Sequence, residues 1–264
     1  MNKEKSTITL TFGDRAENHV GMEQIGKMID AGEGFQTNEL NEIATRLKSI
    51  GMSCEVIELT HGENNLSNAS NASVLIVRGG VDSLYRHSNC DEKYNADELF
   101  SEQSTLNVDK QAFMYGRVVN KHARWNLCFD NISHDPDYSN GKGTVVSYPS
   151  VPLTYKLLSL FPAYFGEKAE DLKGEGNYYF DVNTCGIGFH GDSERRKVIA
   201  VRLGASLDLH YQWYKNNERV GERIILPLHH GDIYVMSEKA VGTDWKCRSK
   251  YTLRHATGCA KYVK

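Results

Sequence analysis

The stretch CGIGFHGDSERRKVIAVRLG (Cys185–Gly204) sets a histidine and an aspartate two residues apart, between glycines and just ahead of an apolar run. Side chains two residues apart on an extended segment point to the same side of the backbone. His190 and Asp192 are therefore expected to face one site. The run VIAVRLG that follows predicts a strand, so the pair stands directly before a strand.

The chain beyond residue 176 is a series of short strand-like segments separated by polar turns such as KNNERVG and HHGD. Many short strands at close spacing favour a β-sandwich or a small barrel. A jelly roll of this kind places strands that are distant in the sequence side by side. The segments are NYYFD, RKVIAVRLG, SLDLHYQWY, ERIILPL, DIYVM, KYTLRH and AKYVK.

The first 90 residues predict an α/β unit of their own. STITLTF (6–12) alternates as a strand does. CEVIEL (54–59) and SVLIVRGG (73–80) are two further strand candidates, parted by the loop NNLSNASNAS. Residues 88–110 are polar and predict a loop.

Two segments predict helices. Residues 37–51 have an apolar face at helical spacing, and Thr37 or Asn38 is expected to cap its start. Residues 151–166 are rich in leucine, and Pro162 is expected to end that helix. The apolar face of the first helix consists of Leu40, Ile43, Ala44 and Leu47.

The composition is typical of a globular protein, with 264 residues, 40% hydrophobic and 25% charged. No apolar run reaches the roughly 18 residues of a membrane span, and the N-terminus MNKEKSTITL has no apolar signal core. Six scattered cysteines without a CxxC pair indicate free thiols in a reducing compartment. We therefore expect a cytoplasmic or nuclear protein. The net charge of −3 argues against an extended phosphate-binding surface but leaves room for a local groove.

The His190/Asp192 pair supplies two of the three ligands of a two-histidine, one-carboxylate iron(II) site. Such a site leaves three coordination positions open on one face, where a 2-keto acid and dioxygen can bind. The protein must add a second histidine from a distant strand and a cation for the far carboxylate of the keto acid. His255 lies in TLRHATG (252–258), a strand-like segment near the end of the series of strands that begins at residue 176.

Three segments resemble the AlkB-type branch of the iron(II)/2-oxoglutarate oxygenases. EGNYYFDVNTCGIGFHGD (175–192) has the Asn-x-Tyr strand, the polar turn and the His-x-Asp run of that branch. ILPLHHGDIYVMS (225–237) is similar to its leucine and Gly-Asp segment, and RSKYTLR (248–254) is similar to its closing arginine element. The resemblance covers roughly residues 110–264.

The resemblance implies an α+β protein with a C-terminal double-stranded β-helix (jelly-roll) oxygenase core at 110–264 and an N-terminal α/β unit at 1–90 packed beside it. It implies Fe(2+), 2-oxoglutarate and O2 as cofactors and cosubstrates. His190 and Asp192 would bind iron, and Asn177 and Tyr179 would contact 2-oxoglutarate.

Two alignments with the family compete, and they assign the third ligand and the cation differently. They arise because SEKAVGTDWKCRSK (237–250) holds no histidine. In the first alignment KYTLRH is the penultimate core strand and AKYVK is the last one. His255 is then the distal ligand, and Lys261 or Lys264 binds the keto acid.

In the second alignment RSKYTLR is the last strand, and Arg248 and Arg254 bind the keto acid. The distal ligand is then Asp244 or is missing. We favour His255, because imidazole is the better third ligand and HATG resembles the His-Ala-containing strand of prolyl hydroxylases. The choice of cation stays open.

The expected activity is hydroxylation of a C–H bond. The resemblance implies a nucleic-acid base or nucleotide as the substrate class, with oxidative demethylation or hydroxylation of the base as the outcome. The alternatives are a protein side chain or small metabolite as substrate, or a metal-binding jelly roll without catalysis. Residues that could contact the substrate are Arg117, Asn120, Arg124, Glu194 and Arg195.

Overall fold

The structure is a computed structural model that describes residues 1–59 and 71–264, so most of the loop NNLSNASNAS lies outside the described residues. The protein is a mixed α/β structure, mostly strands arranged in several sheets, with few helices. The helices are α1 Thr37–Ser49, α2 Gly80–His87, α3 Ala96–Ser104, α4 Pro152–Phe165 and α5 Glu238–Val241. The strands are β1 Thr7–Gly13, β2 Arg15–Glu17, β3 Gln24–Gly26, β4 Cys54–Glu58, β5 Ser73–Val77, β6 Gln111–Met114, β7 Arg117–Asn120, β8 Trp125–Asp130, β9 Val145–Ser147, β10 Lys173–Tyr179, β11 Gly186–His190, β12 Val198–Gly204, β13 Leu209–Lys215, β14 Glu218–Leu226, β15 Ile233–Met236 and β16 Thr252–Gly258.

Two sheets dominate the fold. The large sheet has eight strands in the order β4-β5-β15-β12-β1-β10-β8-β9, and the small sheet has four in the order β11-β16-β13-β14. All neighbouring strands run antiparallel except β8 and β9. Two separate hairpins, β2–β3 and β6–β7, complete the strand inventory of the described residues.

The side chains of β1 alternate between the two faces of the large sheet, and they show what covers each face. Ile8, Leu10 and Phe12 point to one face and join the apolar core formed with α1 to α4. Thr9 and Thr11 point to the opposite face and line a cavity. The helices thus cover one face of the large sheet and leave the other for the small sheet and the cavity.

A second apolar core joins the two sheets. Ala200 on β12 and Tyr234 on β15 come from the large sheet, whereas Tyr211, Trp213 and Leu253 come from the small sheet. Burying these side chains removes apolar area from water, and this burial is what holds the two sheets face to face.

The strands predicted in the first 90 residues are confirmed, and they belong to the large sheet. β1 lies in its middle: Leu10 pairs with Gly176 of β10 on one side and with Val201 of β12 on the other. β4 and β5 continue the same sheet beyond β15. The sequence suggested a unit packed beside the core, whereas the structure places these strands within the same sheet as the strands that follow residue 110.

Several local predictions need correction. The predicted loop 88–110 contains α3, whose start is capped because the Asn95 side chain accepts a hydrogen bond from the Glu98 amide. The helix α2 was also missed. Gln36, not Thr37 or Asn38, is the N-cap residue of α1, and its amide donates to Glu39 Oε2 at 2.7 Å.

Pro162 does not end α4, which continues to Phe165. Proline within a helix removes one hydrogen bond at a cost of about 3 kcal/mol. The buried rings of Phe161 and Phe165 offset that cost, since they lie on either side of the proline and pack into the core. The segment AKYVK was predicted as a strand but lies in and after a turn, in which the Tyr262 amide donates to the Cys259 carbonyl.

Among the described residues, every helix is too short or too polar to cross a membrane.

Candidate metal centre

Two neighbouring strands bring the histidines together. β11 pairs with β16 antiparallel, and His190 lies directly opposite His255 in that pairing. The register shifts between Ile187 and His190, so the end of β11 is irregular. Residues directly opposite each other in an antiparallel pair have side chains on the same face. The two imidazole rings therefore face one point, with ring centroids 4.5 Å apart.

Asp192 joins them just beyond the end of β11. Its Oδ1 atom lies 3.5 Å from His190 Nε2 and 3.4 Å from His255 Nε2. The three ligand atoms all lie within 4.8 Å of one another, which is a separation that one metal ion can bridge. Asp244, the alternative distal ligand, is not in this cluster, and its carboxylate binds Lys239 Nζ at 2.8 Å.

The glycine of the HGD motif has a steric role. Gly191 passes so close to Gly242 that a Cβ atom would collide with the Gly242 carbonyl oxygen. The Asp192 amide donates to the carbonyl of Val241, 3.0 Å away, and so anchors the segment to α5. This close approach requires a glycine between the two ligands and sets the turn that brings Asp192 back to the histidines.

The protonation states suit metal binding. His190 Nδ1 donates to the Gly188 carbonyl at 2.8 Å, which leaves Nε2 as the free ligand atom. Burial, with a contribution from His255, lowers the pKa of His190 to about 3, so the ring is neutral at physiological pH. Burial acts to raise the pKa of Asp192, but Arg195 and the two histidines outweigh it and hold the pKa well below its usual range. A neutral imidazole and a carboxylate are the forms that bind metal.

Arg195, a candidate for substrate contact, lines the cavity, and its guanidinium binds carboxylates of the site. It is only 3% exposed and lies 3.3 Å from Asp192 Oδ2 and 2.7 Å from Glu194 Oε1, and it also pairs with Glu175. A buried charge is tolerated when it is paired and hydrogen-bonded. Arg195 therefore positions Asp192. Burial raises the pKa of Glu194 to about 7, and its side chain lines the cavity.

A cavity of about 830 Å³ opens beside the three ligands. Asn177 and Tyr179, which were predicted to contact the keto acid, lie on β10 and line it. Asn177 is held in place because its Oδ1 atom accepts hydrogen bonds from Arg124 Nε at 2.6 Å and Asn126 Nδ2 at 2.8 Å. The candidate substrate residue Arg124 therefore reaches the cavity. Arg117 and Asn120, which lie on β7, do not line it.

None of the four cations considered for the keto acid lines this cavity. Arg254 neighbours His255 on β16 and so points to the other face of the small sheet, where it stacks on Tyr214 at 4.0 Å. Arg248 is exposed. Lys261 Nζ lies 4.8 Å from the centre of the Tyr262 ring, and Lys264 is at the exposed C-terminus.

Arg202 on β12 is a buried cation of the cavity that the sequence analysis did not single out. It is 1% exposed, lines the cavity and donates from Nη1 to Thr9 Oγ1 at 2.6 Å. Its Nε atom has no hydrogen-bond partner among the described residues. Tyr179 and Tyr234 lie beside it: burial raises the pKa of both tyrosines, and Arg202 opposes that rise. The sequence carried a signal, since Arg202 is the only charged residue within VIAVRLG.

The Gly-Asp segment of ILPLHHGDIYVMS has a structural role. Asp232 accepts hydrogen bonds from the amides of Gly79 at 2.9 Å and His229 at 3.0 Å, and it pairs with Arg78 at 2.8 Å. These contacts tie the start of β15 to the end of β5. Asp232 therefore supports the large sheet rather than the metal centre.

A comparison with curated proteins finds a relative that is 47% identical over 266 residues, covering the whole of both chains: uncharacterized protein R156 of Acanthamoeba polyphaga mimivirus. No family model matches the sequence.

Proposed function

The chain belongs to the family of that mimivirus protein, and we propose that it is an iron(II)- and 2-oxoglutarate-dependent oxygenase that hydroxylates a C–H bond. The observation that carries this proposal is the cluster of His190, Asp192 and His255 in the wall of a cavity of about 830 Å³. In the same proposal the two facing sheets are the two halves of a double-stranded β-helix.

The donor set fits iron(II). Two imidazoles and one carboxylate on one side of a site leave the opposite side open for other ligands, which is the arrangement of non-haem iron oxygenases. The open side here faces a cavity of about 830 Å³, large enough for a keto acid and part of a substrate. Zinc accepts similar ligands, so a second feature is needed to favour a keto-acid-dependent iron site over a zinc site.

That feature is Arg202. A buried guanidinium is costly unless an anion pairs with it, and among the described residues no carboxylate lies within ion-pair distance of Arg202. The far carboxylate of 2-oxoglutarate would pair with its open edge, with the hydroxyls of Tyr179 and Tyr234 as further donors. In this proposal Arg202 binds the far carboxylate of the keto acid, the role for which the sequence analysis considered Arg248, Arg254, Lys261 and Lys264.

The protein groups have separable tasks in this reaction. Bound iron(II) and 2-oxoglutarate supply an oxidation in which dioxygen is consumed, the keto acid becomes succinate and carbon dioxide, and a substrate C–H bond becomes C–OH. His190, Asp192 and His255 hold the metal, and Arg195 fixes the orientation of Asp192. Arg202 orients the keto acid, and the walls of the cavity bring one substrate C–H bond close.

The substrate proposed first is a nucleic-acid base, alkylated or 5-methylated, as the resemblance of residues 110–264 implies. Such a base reaches a cavity from a single strand or after flipping out of a duplex. Hydroxylation of a protein side chain or of a small metabolite is the alternative, since a fold does not determine the substrate.

The test is the visible spectrum of the purified protein with iron(II) and 2-oxoglutarate, recorded without oxygen. Chelation of the keto acid by iron(II) gives a weak charge-transfer band. We expect the band in the wild type and in the matched control Asp244→Ala, and its loss in His190→Ala, Asp192→Ala and His255→Ala.

Arg202→Gln separates the two halves of the site. It should retain iron(II) and lose the band at 2-oxoglutarate concentrations that saturate the wild type. A folded wild-type protein that binds neither iron(II) nor 2-oxoglutarate would sink the oxygenase proposal. A protein that binds the metal but not the keto acid would be a metal-binding jelly roll without this activity.

A further inference from the structure

The cations that line the cavity fall into two groups. Arg195 and Arg202 lie deep and have the roles described above. The other three come from separate elements: Arg15 from β2, Arg124 from the segment before β8, and Lys246 from the segment before β16. These three are called the rim cations.

The rim cations have neutral neighbours. Arg15 Nη1 donates to Gln24 Oε1 at 2.8 Å, Arg124 Nε donates to Asn177 Oδ1 at 2.6 Å, and Lys246 Nζ lies 5.3 Å from the centre of the Trp245 ring. In the described part of the chain, no carboxylate lies within 4.0 Å of their charged atoms. The Arg15 Nε atom is buried and lacks a hydrogen-bond partner among the described residues.

Of the four acidic residues that line the cavity, three cluster around the single guanidinium of Arg195, and none lies within ion-pair distance of a rim cation. Glu175, Asp192 and Glu194 all pair with Arg195. The remaining one, Glu17, accepts hydrogen bonds from the Gly21 amide and from Gln24 Nε2, and burial raises its pKa.

Among the described residues, the part of the cavity lined by the rim cations, called the mouth, therefore has three positive charges without a carboxylate partner, in a protein whose net charge is −3. A cleft with low-dielectric walls concentrates such a field and attracts anions. One arginine satisfies a carboxylate with two parallel hydrogen bonds, whereas cations on three sides suit the tetrahedral oxygens of a phosphate group.

We propose that the substrate carries a phosphate group that Arg15, Arg124 and Lys246 bind at the mouth while another part of the substrate reaches the metal centre. This inference rests on the proposed function, and it adds the chemical class of the substrate. The phosphate can belong to a free monoester or to a diester strand, and the two are distinguishable by experiment.

The test uses the protein loaded with Mn(II) in place of iron(II) and saturated with N-oxalylglycine, an unreactive keto-acid analogue that occupies the Arg202 site. The paramagnetic metal speeds the ³¹P relaxation of phosphate bound within the same cavity. Inorganic phosphate, monomethyl phosphate and dimethyl phosphate are titrated in turn. Stronger binding of the monoester indicates a free phosphorylated substrate, and stronger binding of the diester indicates a strand.

We expect saturable relaxation of phosphate in the wild type. Each of Arg15→Gln, Arg124→Gln and Lys246→Gln should weaken apparent binding about threefold, since a partly exposed charge contributes a modest amount. Lys93→Gln is the matched control, because Lys93 is exposed outside the cavity, and it should bind as the wild type does.

Normal Mn(II) and N-oxalylglycine binding without saturable phosphate relaxation would overturn the inference while leaving the proposed function intact. Loss of N-oxalylglycine binding in Arg124→Gln would also overturn it, because Arg124 would then be the keto-acid counter-ion. Failure of the wild type to bind Mn(II) and N-oxalylglycine would remove the proposed function and the inference together.

Discussion

The two sheets contribute different chemistry to the same cavity. The small sheet presents His190 and His255 on adjacent strands, and Asp192 follows directly. The large sheet presents Asn177, Tyr179 and Arg202 from the opposite side. The small sheet thus supplies the candidate metal ligands, and the large sheet supplies polar groups that suit an organic anion. The two halves should be separable by mutation.

The largest effect should come from removing part of the large sheet. A chain that begins at residue 91 lacks β1, β4 and β5, and β1 lies between β10 and β12. Its loss exposes the apolar faces of both neighbours and leaves their inner edges unpaired. We expect this chain to be insoluble or unfolded by circular dichroism. A folded fragment with a cooperative thermal transition would show that residues 1–90 are a separate unit.

Arg202→Gln should weaken 2-oxoglutarate binding roughly 30-fold or more, because truncating one partner of a buried, hydrogen-bonded charge pair costs several kcal/mol. Metal affinity, whose ligands lie on the small sheet, should stay within about twofold of the wild-type value. Calorimetric titration with Mn(II) and then with 2-oxoglutarate measures both. The matched control is Arg254→Gln, on the other face of β16. Weakened keto-acid binding in Arg254→Gln alone would reverse our assignment of the cation.

Glu175→Gln tests the link between the two sheets, because Glu175 on β10 and Asp192 beyond β11 share Arg195. Weakening this link should lower metal affinity about 10-fold, the lower end of the effect of groups that orient metal ligands. Keto-acid binding to the metal-loaded variant should change less. Glu55→Gln, which alters a carboxylate paired with Arg78 outside the cavity, should leave both affinities unchanged. An unchanged metal affinity in Glu175→Gln would argue against a positioning role for this network.

The smallest effect should be a dependence of stability on pH at the edge of the large sheet. Burial lowers the pKa of Lys121 from 10.5 to about 8, although its Nζ donates to Asn18 Oδ1 at 2.7 Å and Asn126 Oδ1 at 3.1 Å. Between these two values the unfolded chain binds more protons than the folded protein, so stability rises with pH. We expect a gain of about 1.5 kcal/mol between pH 8 and 9.5.

Urea unfolding of the wild type and of Lys121→Met at both pH values measures this gain. The variant should lack the rise because it has no titrating amine at this position. An equal rise in both proteins would assign it to other groups.

The His190/Asp192 part of the candidate metal cluster was predictable because the signal is local. The spacing of His190 and Asp192 and the strand pattern around them are written in consecutive residues, and the chemistry of iron(II) then called for a histidine on a distant strand. His255 was chosen over Asp244 on ligand chemistry, and the structure brings His255 into the cluster. The α1 face of Leu40, Ile43, Ala44 and Leu47 was predicted for the same reason, since its 3.6-residue period lies within one segment.

The buried arginine of the cavity was not predictable in this way. Arg254 and Arg202 both lie within strands, and only the facing direction of each strand separates them. A one-residue change in register reverses that direction. The pairing of β12 with β1 and β15 points Arg202 into the cavity, whereas Arg254 points away because its neighbour His255 points in. The helix α3 was not predicted for a related reason. Its sequence is mostly polar, and Leu99 and Phe100 are buried against elements far along the chain.

The sequence by itself determined the local elements, namely most of the strands after residue 176, the helix α1 and the His190/Asp192 pair, because each depends on side chains a few residues apart. The tertiary structure brought the favoured His255 to the pair, and it alone decided that β1 belongs to the middle of the large sheet and that Arg202 and not Arg254 faces the cavity. These are matters of strand pairing between distant segments. Pairing follows from the burial of two sheet faces at once, which is a property of the whole chain and not of any one segment.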